Sequence, residues 1–398
     1  MIHAVIVSAA RTAIASFQGA LAPVRAVDLG ATVIRAVIER AGVPPEQIDD
    51  VVMGHVLTAG QGQNTARQAA VAGGVPYSAP ALTVNRVCGS GLQAVVLAAQ
   101  SIRSGDARVV VAGGMENMSQ AAYVVPGLRT GLRLGHGTVL DTMVKDGLWD
   151  AFYDYHMGTT AENLAQRHGI TREEQDVFAV ESHMRALAAI AAGRFEREIV
   201  PVSVKARKGI ATFFVRDEQP RLDTNLLELS MLRPAFRADG SVTAGNSSTL
   251  NDGAAAVLVM SEDHAMQQGL PIMARIVAWG TAGIDPAFMG EGPVAATQRC
   301  LIRAGWKLED VDLIEANEAF AVQSLTVRRL LRLDPLRVNV NGGAVALGHP
   351  IGASGCRVLV TLLHEMQRRD VQRGLATLCI GGGQGIAVAV ERPATAAP

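Results

Sequence analysis

Leu82-Thr-Val-Asn-Arg-Val-Cys88, followed by Gly89-Ser90-Gly91, decides the fold. β-branched residues give an extended approach, small residues give a turn, and Leu92, Val95, Val96, Ala99 and Ile102 then recur at helical spacing. The predicted helix runs to about Arg103. Val109-Val-Val-Ala with Gly113-Gly114 behind it reads as a buried strand ending in a glycine turn. The layout returns near the carboxyl end. There Val338-Asn-Val-Asn and a glycine pair lead into Gly348-His-Pro-Ile-Gly-Ala-Ser-Gly355. A helix follows with Val358, Leu359, Leu362, Leu363 and Met366 on its apolar face, and Ala376-Thr-Leu-Cys-Ile380 with Gly381-Gly382-Gly383 supplies strand and turn. Two echoing passages imply a duplicated α/β fold with a pseudo-two-fold relation, which brings equivalent turns together at one crevice.

Working outward, 398 residues exceed what one hydrophobic core usually organises, so two packed halves are expected. The opening Ile2-His-Ala-Val-Ile-Val-Ser-Ala-Ala10 is apolar with no Lys or Arg before it, which favours a first buried strand over a signal peptide. From about Ser119 to Ser248 the chain turns rich in Arg, Asp, Glu and Gly, with a polar helix near Arg172 to Ala192, and reads as an inserted loop domain suited to ligand contacts. The expected division is a first half over 1–118, the insertion over 119–248, a return to the first half over 249–270, and a second half over 271–398.

Composition excludes several classes. The 36 basic and 37 acidic residues leave a net charge of −1, which removes a broad electrostatic footprint for nucleic acid or an anionic membrane. No run of 18 apolar residues occurs, so no spanning helix is expected. The 4 cysteines, Cys88, Cys300, Cys356 and Cys379, are far apart and show no zinc spacing. A reducing, cytoplasmic setting without disulfides or a metal site is the expectation.

Each candidate residue has a functional and a structural reading. Cys88 lies where a strand becomes a helix, where helical amides favour a nucleophilic thiolate; the alternative is a buried, inert thiol. Its neighbours Gly89-Ser90-Gly91 leave room for a carbonyl and aim N–H groups at it. His349, in a glycine-bounded turn stiffened by Pro350, is either a structural histidine or, facing Cys88 from the equivalent turn, a general base. Cys379 ends a buried strand against three glycines and is either an ordinary strand cysteine or a second reactive thiol. Asn317, in Glu315-Ala-Asn-Glu-Ala-Phe320, suits a helix cap or a holder of catalytic water.

Taken in order, the motifs resemble the thiolase family over nearly the whole chain. They are Val7-Ser-Ala-Ala-Arg-Thr12, Cys88-Gly-Ser-Gly91, Gly113-Gly-Met-Glu-Asn117, His156-Met-Gly-Thr-Thr-Ala-Glu-Asn163, Arg233-Pro-Ala-Phe236, Asn317-Glu-Ala-Phe320, Gly348 to Gly355 and Cys379-Ile-Gly-Gly-Gly383. The resemblance implies duplicated βαβαβαββ halves in a layered α/β/α/β/α core. It implies that the Cys88 thiolate, deprotonated by His349, takes an acyl group from acyl-CoA, and that Cys379 removes a proton from C2 of acetyl-CoA to form a 3-oxoacyl-CoA. Two oxyanion holes go with it, one from His349 with a water on Asn317, the other from the N–H groups of Cys88 and Gly381. CoA contacts fall by the same resemblance on Leu148, His156, Met157, Arg221, Phe236, Ala244, Ser248 and Phe320. CoA is then substrate and product, with no further cofactor and no metal, and a homodimer or homotetramer is expected.

The chain departs from the family pattern in places. Ala13 and Ala15 stand where Pro and Gly are usual, Ser247 and Thr249 where Ala and Gly are common, and Tyr123 to Val139 matches weakly. The His156-Met157-Gly158 motif resembles the acetoacetyl-CoA type, and a broader or longer-chain 3-ketoacyl-CoA thiolase is the alternative. Trp149 could narrow the acyl pocket or pack elsewhere. Carrier-protein synthases of related fold use two histidines, whereas Cys379 holds the second position here. A non-catalytic acyl-CoA-binding scaffold is the rival of another class.

Overall fold

The chain enters as a buried strand, β1 (Ala4–Thr12), and alternates helix and strand through α1 (Ala26–Ala41), β2 (Asp50–Gly54), α2 (Thr65–Ala72), β3 (Ala81–Val84), α3 (Ser90–Ser104) and β4 (Val109–Asn117). This computed structural model describes residues 2–205 and 211–393. Met1, residues 206–210 and residues 394–398, which fall within the expected first half, insertion and second half, lie outside the described residues. After β4 come α4 (Met157–His168) and α5 (Arg172–Ala191), the latter started by a reciprocal capping box between Thr171 and Glu174. The chain then returns as β5 (Asn251–Ser261). A second series follows: β6 (Ala274–Gly283), α6 (Gly292–Ala304), β7 (Leu313–Ala316), α7 (Ala321–Leu331), α8 (Ile351–Arg369), β8 (Arg373–Ile380) and β9 (Gln384–Glu391).

The two series build like sheets. In the first the order is β3-β2-β4-β5-β1, with β2 parallel to β3 and β4, and β5 antiparallel to β4 and β1. In the second the order is β7-β8-β9-β6, with β7 parallel to β8, and β9 antiparallel to β8 and β6. They meet edge to edge where Val5 and Ile6 pair with Arg275 and Ala274. The βαβαβαββ order therefore occurs twice, with one substitution. The counterpart of β3, expected at Val338-Asn-Val-Asn, is only a single parallel bridge from Val338 to Ile314. Its work passes to a side chain: the Asn339 amide accepts from Ala316 N–H and donates to Ala316 C=O, both at 2.8 Å, as a neighbouring strand would.

Strand alternation then divides the core into layers. Val110, Ala112, Val257 and Val259 of the first sheet and Leu378, Ile386 and Val388 of the second pack with Leu92, Val95 and Ile102 of α3 and Val358, Leu359 and Leu362 of α8. The opposite strand positions, such as Val109, Val111 and Leu258, pack with Leu29, Val33 and Val37 of α1. On the far side Ala387 and Ala389 pack with Ala296 and Cys300 of α6 and Val327 of α7. The result is helix, sheet, helix, sheet, helix, with α3 and α8 in the middle layer.

One predicted turn is absent. β4 runs straight through Gly113 and Gly114 to Asn117. These glycines serve close approach instead: a Cβ on Gly113 would lie 2.2 Å from Ala255 O on β5, and one on Gly114 2.1 Å from Gly352 O on α8. The continued strand delivers Glu116, whose buried carboxylate accepts from the N–H groups of Val56, Leu57 and Gly352. Among the described residues no helix is long and apolar enough to cross a membrane, and no group of three or more His, Cys, Asp or Glu side chains is placed to hold a metal ion.

Candidate active site

Cys88 sits on a strained elbow between β3 and α3. Val87 adopts φ 44°, a left-handed conformation that costs a β-branched residue about 1–3 kcal/mol unless its surroundings hold it. Three bonds hold it: Val87 N–H to Asn85 Oδ1, Arg86 N–H to Ser90 Oγ, and the Ser90 hydroxyl to Val87 O. A Cβ on Gly89 would lie 2.4 Å from Ile380 Cδ1, so glycine lets the elbow close on the end of β8, where Cys379 is, without turning the Ile380 side chain aside. Cys88 is partly exposed, whereas Cys379 is buried.

His349 occupies the equivalent position of the second half, just before α8. Its Nδ1 is 2.6 Å from Ser354 Oγ, and the Ser354 hydroxyl donates to Pro350 O at 2.9 Å. A carbonyl only accepts, so Ser354 spends its proton there and takes the N–H of Nδ1 on a lone pair. The proton thus lies on Nδ1 and the lone pair on Nε2. That lone pair faces Asn317 Nδ2 at 3.5 Å. Asn317 is not the cap of α7, which starts at Ala321 with Phe320 before it. It is buried, and its Oδ1 has no protein partner, leaving an acceptor beside the imidazole.

Burial sets the electrostatics. It pushes the Cys88 thiol up to about 11, against the opposing pull of the Gly381 and Cys88 backbone N–H groups, and Glu116 adds to the rise. The helix-end position was expected to favour the thiolate; desolvation outweighs it. Burial, then the neighbouring Cys88, pushes Cys379 up as well. Burial, then the Arg357 guanidinium, lowers His349 to about 3. The resting site is therefore two thiols and a neutral imidazole at pH 7. Only the thiolate alkylates, and below a raised pKa its fraction grows about tenfold per pH unit. Iodoacetamide labelling of Cys88 is accordingly expected to accelerate throughout pH 7 to 9; a plateau already at pH 7 would reveal a preformed thiolate–imidazolium pair.

These groups open onto one cavity of about 710 Å³. Its lining includes Cys88, His349, Cys379 and Gly381, and the structure also brings Leu148, His156, Met157, Arg221, Phe236, Ala244, Ser248 and Phe320 to it. Asn317 lies behind His349, outside the lining. His156 caps α4 by accepting Gly158 N–H on Nδ1, and its ring stacks on Phe236 with centroids 4.8 Å apart. Phe236 in turn meets Phe320 edge-on at 6.2 Å. Gly158 permits that wall, since a Cβ there would lie 2.2 Å from the Phe236 ring. Ser248 N–H bonds Ala319 O and Ala321 N–H bonds Asn246 O, which ties the 246–248 segment to the Asn317 loop. Trp149 lies outside the lining, its indole N–H on Asp154.

Ser354, Asn251 and Glu116 are positioned about the site and escaped the sequence reading. Ser354 stood inside a quoted motif, five residues past His349, and the one-turn return from the start of a helix was the available signal. Glu116 likewise stood inside the quoted Gly113 to Asn117 motif without being singled out, whereas Asn251 acts on His349 from a strand remote in sequence. Met118, Met143, Leu250 and Ile351, which pack with Cys88 and Leu148 in one apolar cluster, were likewise not singled out.

Fold and cavity together define a class: a layered α/β enzyme of two like halves, with two thiols and an imidazole in a largely apolar cavity. The thiolase N-terminal domain family matches residues 4–263, and the thiolase C-terminal domain family residues 270–392. An acetyl-CoA acetyltransferase of Pseudomonas aeruginosa is 64% identical over 388 residues, 98% of this chain and 99% of that one. One from Cupriavidus necator is 58% identical over 392 residues, covering 98% of this chain and 100% of its own. The crystal structure of the Bacillus anthracis acetyl-CoA acetyltransferase superposes with a TM-score of 0.96 at 47% identity, covering 98% of this chain and 99% of that one. The chain belongs to the thiolase family, and it is an acyltransferase.

Proposed function

We propose that this chain condenses two acetyl-CoA units reversibly to acetoacetyl-CoA and CoA, through an acetyl group carried on Cys88. The observation that carries the reading is the meeting of Cys88, Cys379 and His349 in one cavity, with Gly381 also in its lining. His349 Nε2 takes the Cys88 proton as the sulfur attacks the acetyl-CoA carbonyl, and CoA leaves as that proton passes to it. Cys379, its proton passed to the Nε2 of His349 that the first step has freed, takes a proton from C2 of a second acetyl-CoA. The carbanion attacks the acetyl-Cys88 carbonyl, forming the carbon–carbon bond and releasing the Cys88 sulfur, which takes its proton back from His349. Negative charge forms first on a carbonyl oxygen facing the N–H groups of Cys88 and Gly381, then on one facing His349 and a water accepted by Asn317. Losing one such donor costs about 3 kcal/mol.

The 119–248 insertion supplies most of the CoA contacts in this reading, with Leu148, Met157 and Phe236 suited to the pantetheine arm and Arg221 to the phosphates. Ala244, Ser248 and His156 complete that wall, and Phe320 joins it from the second half. CoA serves as substrate and product rather than as a resident cofactor. All four cysteines are free, which suits a reducing cytoplasm. A homodimer or homotetramer fits the exposed outer edge of β3, with Leu82 half exposed, and the exposed Leu128, Leu132 and Leu134.

The apolar cluster of Met118, Met143, Leu148, Leu250 and Ile351 packed on Cys88 favours a short acyl group. Thiolysis by free CoA is therefore expected to be fastest with the C4 3-oxoacyl-CoA and at least about tenfold slower in kcat/KM at C8. Equal or faster C8 cleavage would move the chain to the longer-chain thiolases of fatty-acid degradation.

A further inference from the structure

We infer that Thr249 is a positioning residue for the base turn, acting on His349 through Asn251; this rests on the assignment of His349 as the base. Asn251 is wholly buried. Its Oδ1 accepts from the His349 backbone N–H at 2.8 Å and from the Thr249 hydroxyl at 2.8 Å, and its Nδ2 donates to Ala15 O at 2.9 Å. Two lone pairs of Oδ1 are thereby engaged, and the amide cannot turn over without setting its own N–H against that of His349.

Packing adds to this restraint. Gly348 has φ +103°, and a Cβ on it would fall 2.4 to 2.5 Å from the amide atoms of Asn251. The amide therefore lies flush against the residue that launches the His349 turn. One edge of it is anchored to β1's continuation at Ala15, the other to Thr249. Ser354 orients the ring of His349, whereas Thr249 and Asn251 set where its backbone begins. Thr249 also lines the cavity, so the chain of bonds runs from the substrate space to the base. A base displaced by a fraction of an ångström loses rate rather than substrate affinity.

Thr249→Val removes the hydroxyl and nearly preserves the shape. Steady-state thiolysis is expected to show kcat lowered about fivefold, the scale of one intramolecular hydrogen bond, with KM for CoA unchanged. Thr249→Ser, which restores the hydroxyl, is expected to recover most of that loss. An unchanged kcat in Thr249→Val overturns the inference, as does a rise in KM alone, which would make Thr249 a ligand contact. A Thr249→Ser variant as slow as Thr249→Val overturns it too, because the methyl and not the hydroxyl would then matter. His349→Ala separates the two claims. Wild-type turnover in that variant defeats the assignment of the base itself; an inactive His349→Ala beside an unimpaired Thr249→Val defeats only the role of Thr249.

Discussion

Incubated with acetyl-CoA alone, the wild-type chain is expected to gain one acetyl group on the Cys88 peptide, and Cys88→Ala to gain none. The sulfur is the nucleophile in the proposed cycle, and no neighbouring group replaces it. Cys379 is buried beyond it, and its thiol is pushed up by burial and by Cys88 itself. Cys300 and Cys356 are buried in helix–sheet packing, Cys300 on α6 and Cys356 on α8 in the middle layer. Turnover in Cys88→Ala should fall by on the order of 10⁴-fold or more, as for other enzymes stripped of a covalent nucleophile. Peptide mass spectrometry reads the acetyl group and a thiolysis assay reads the turnover. An acetyl group found on another cysteine, or a wild type that binds CoA without modification, would remove Cys88 from the reaction.

The second large effect splits the cycle. Cys379→Ala is expected to leave Cys88 able to take an acetyl group from acetyl-CoA, because His349 and the Gly381 N–H remain. Condensation should drop by about 10²- to 10⁴-fold, the usual contribution of a positioned base. Exchange of the C2 protons of acetyl-CoA with deuterated solvent should drop with it. Retained exchange would place the second base elsewhere, and loss of Cys88 acetylation as well would show that Cys379 supports the elbow rather than the carbanion step. Gly89 and Ile380 already join the two thiols by close packing, so acetylation is the control that distinguishes these cases.

The fold was legible because its signals are local and repeated. Small residues at Gly89-Ser90-Gly91 and Gly348 to Gly355, each followed by an apolar helical stripe and a β-branched run, mark α3 with β4 and α8 with β8. Two features misled. Gly113-Gly114 reads as a turn by local propensity, but tertiary crowding by Ala255 and Gly352 demands glycine inside a straight strand. Val338-Asn-Val-Asn reads as a strand by pattern, yet Asn339 has φ 46° and pairs through its side chain.

The candidate site divides the same way. Sequence alone determined which groups were available: the thiols of Cys88 and Cys379, the imidazole of His349, and the small residues that let backbone come close. Tertiary structure alone decided their states. The neutral forms of Cys88 and His349 follow from burial, with Glu116 adding to it at the thiol and Arg357 at the imidazole, the Nδ1 proton from Ser354, and the anchoring of the His349 backbone N–H from Asn251. Desolvation and hydrogen bonding depend on what surrounds a group in space, and those surroundings come from both halves of the chain. The Cys88 elbow shows the difference most plainly: its residues are written consecutively and the three bonds that hold Val87 are local, but the approach to Cys379 exists only once the second half has folded against the first.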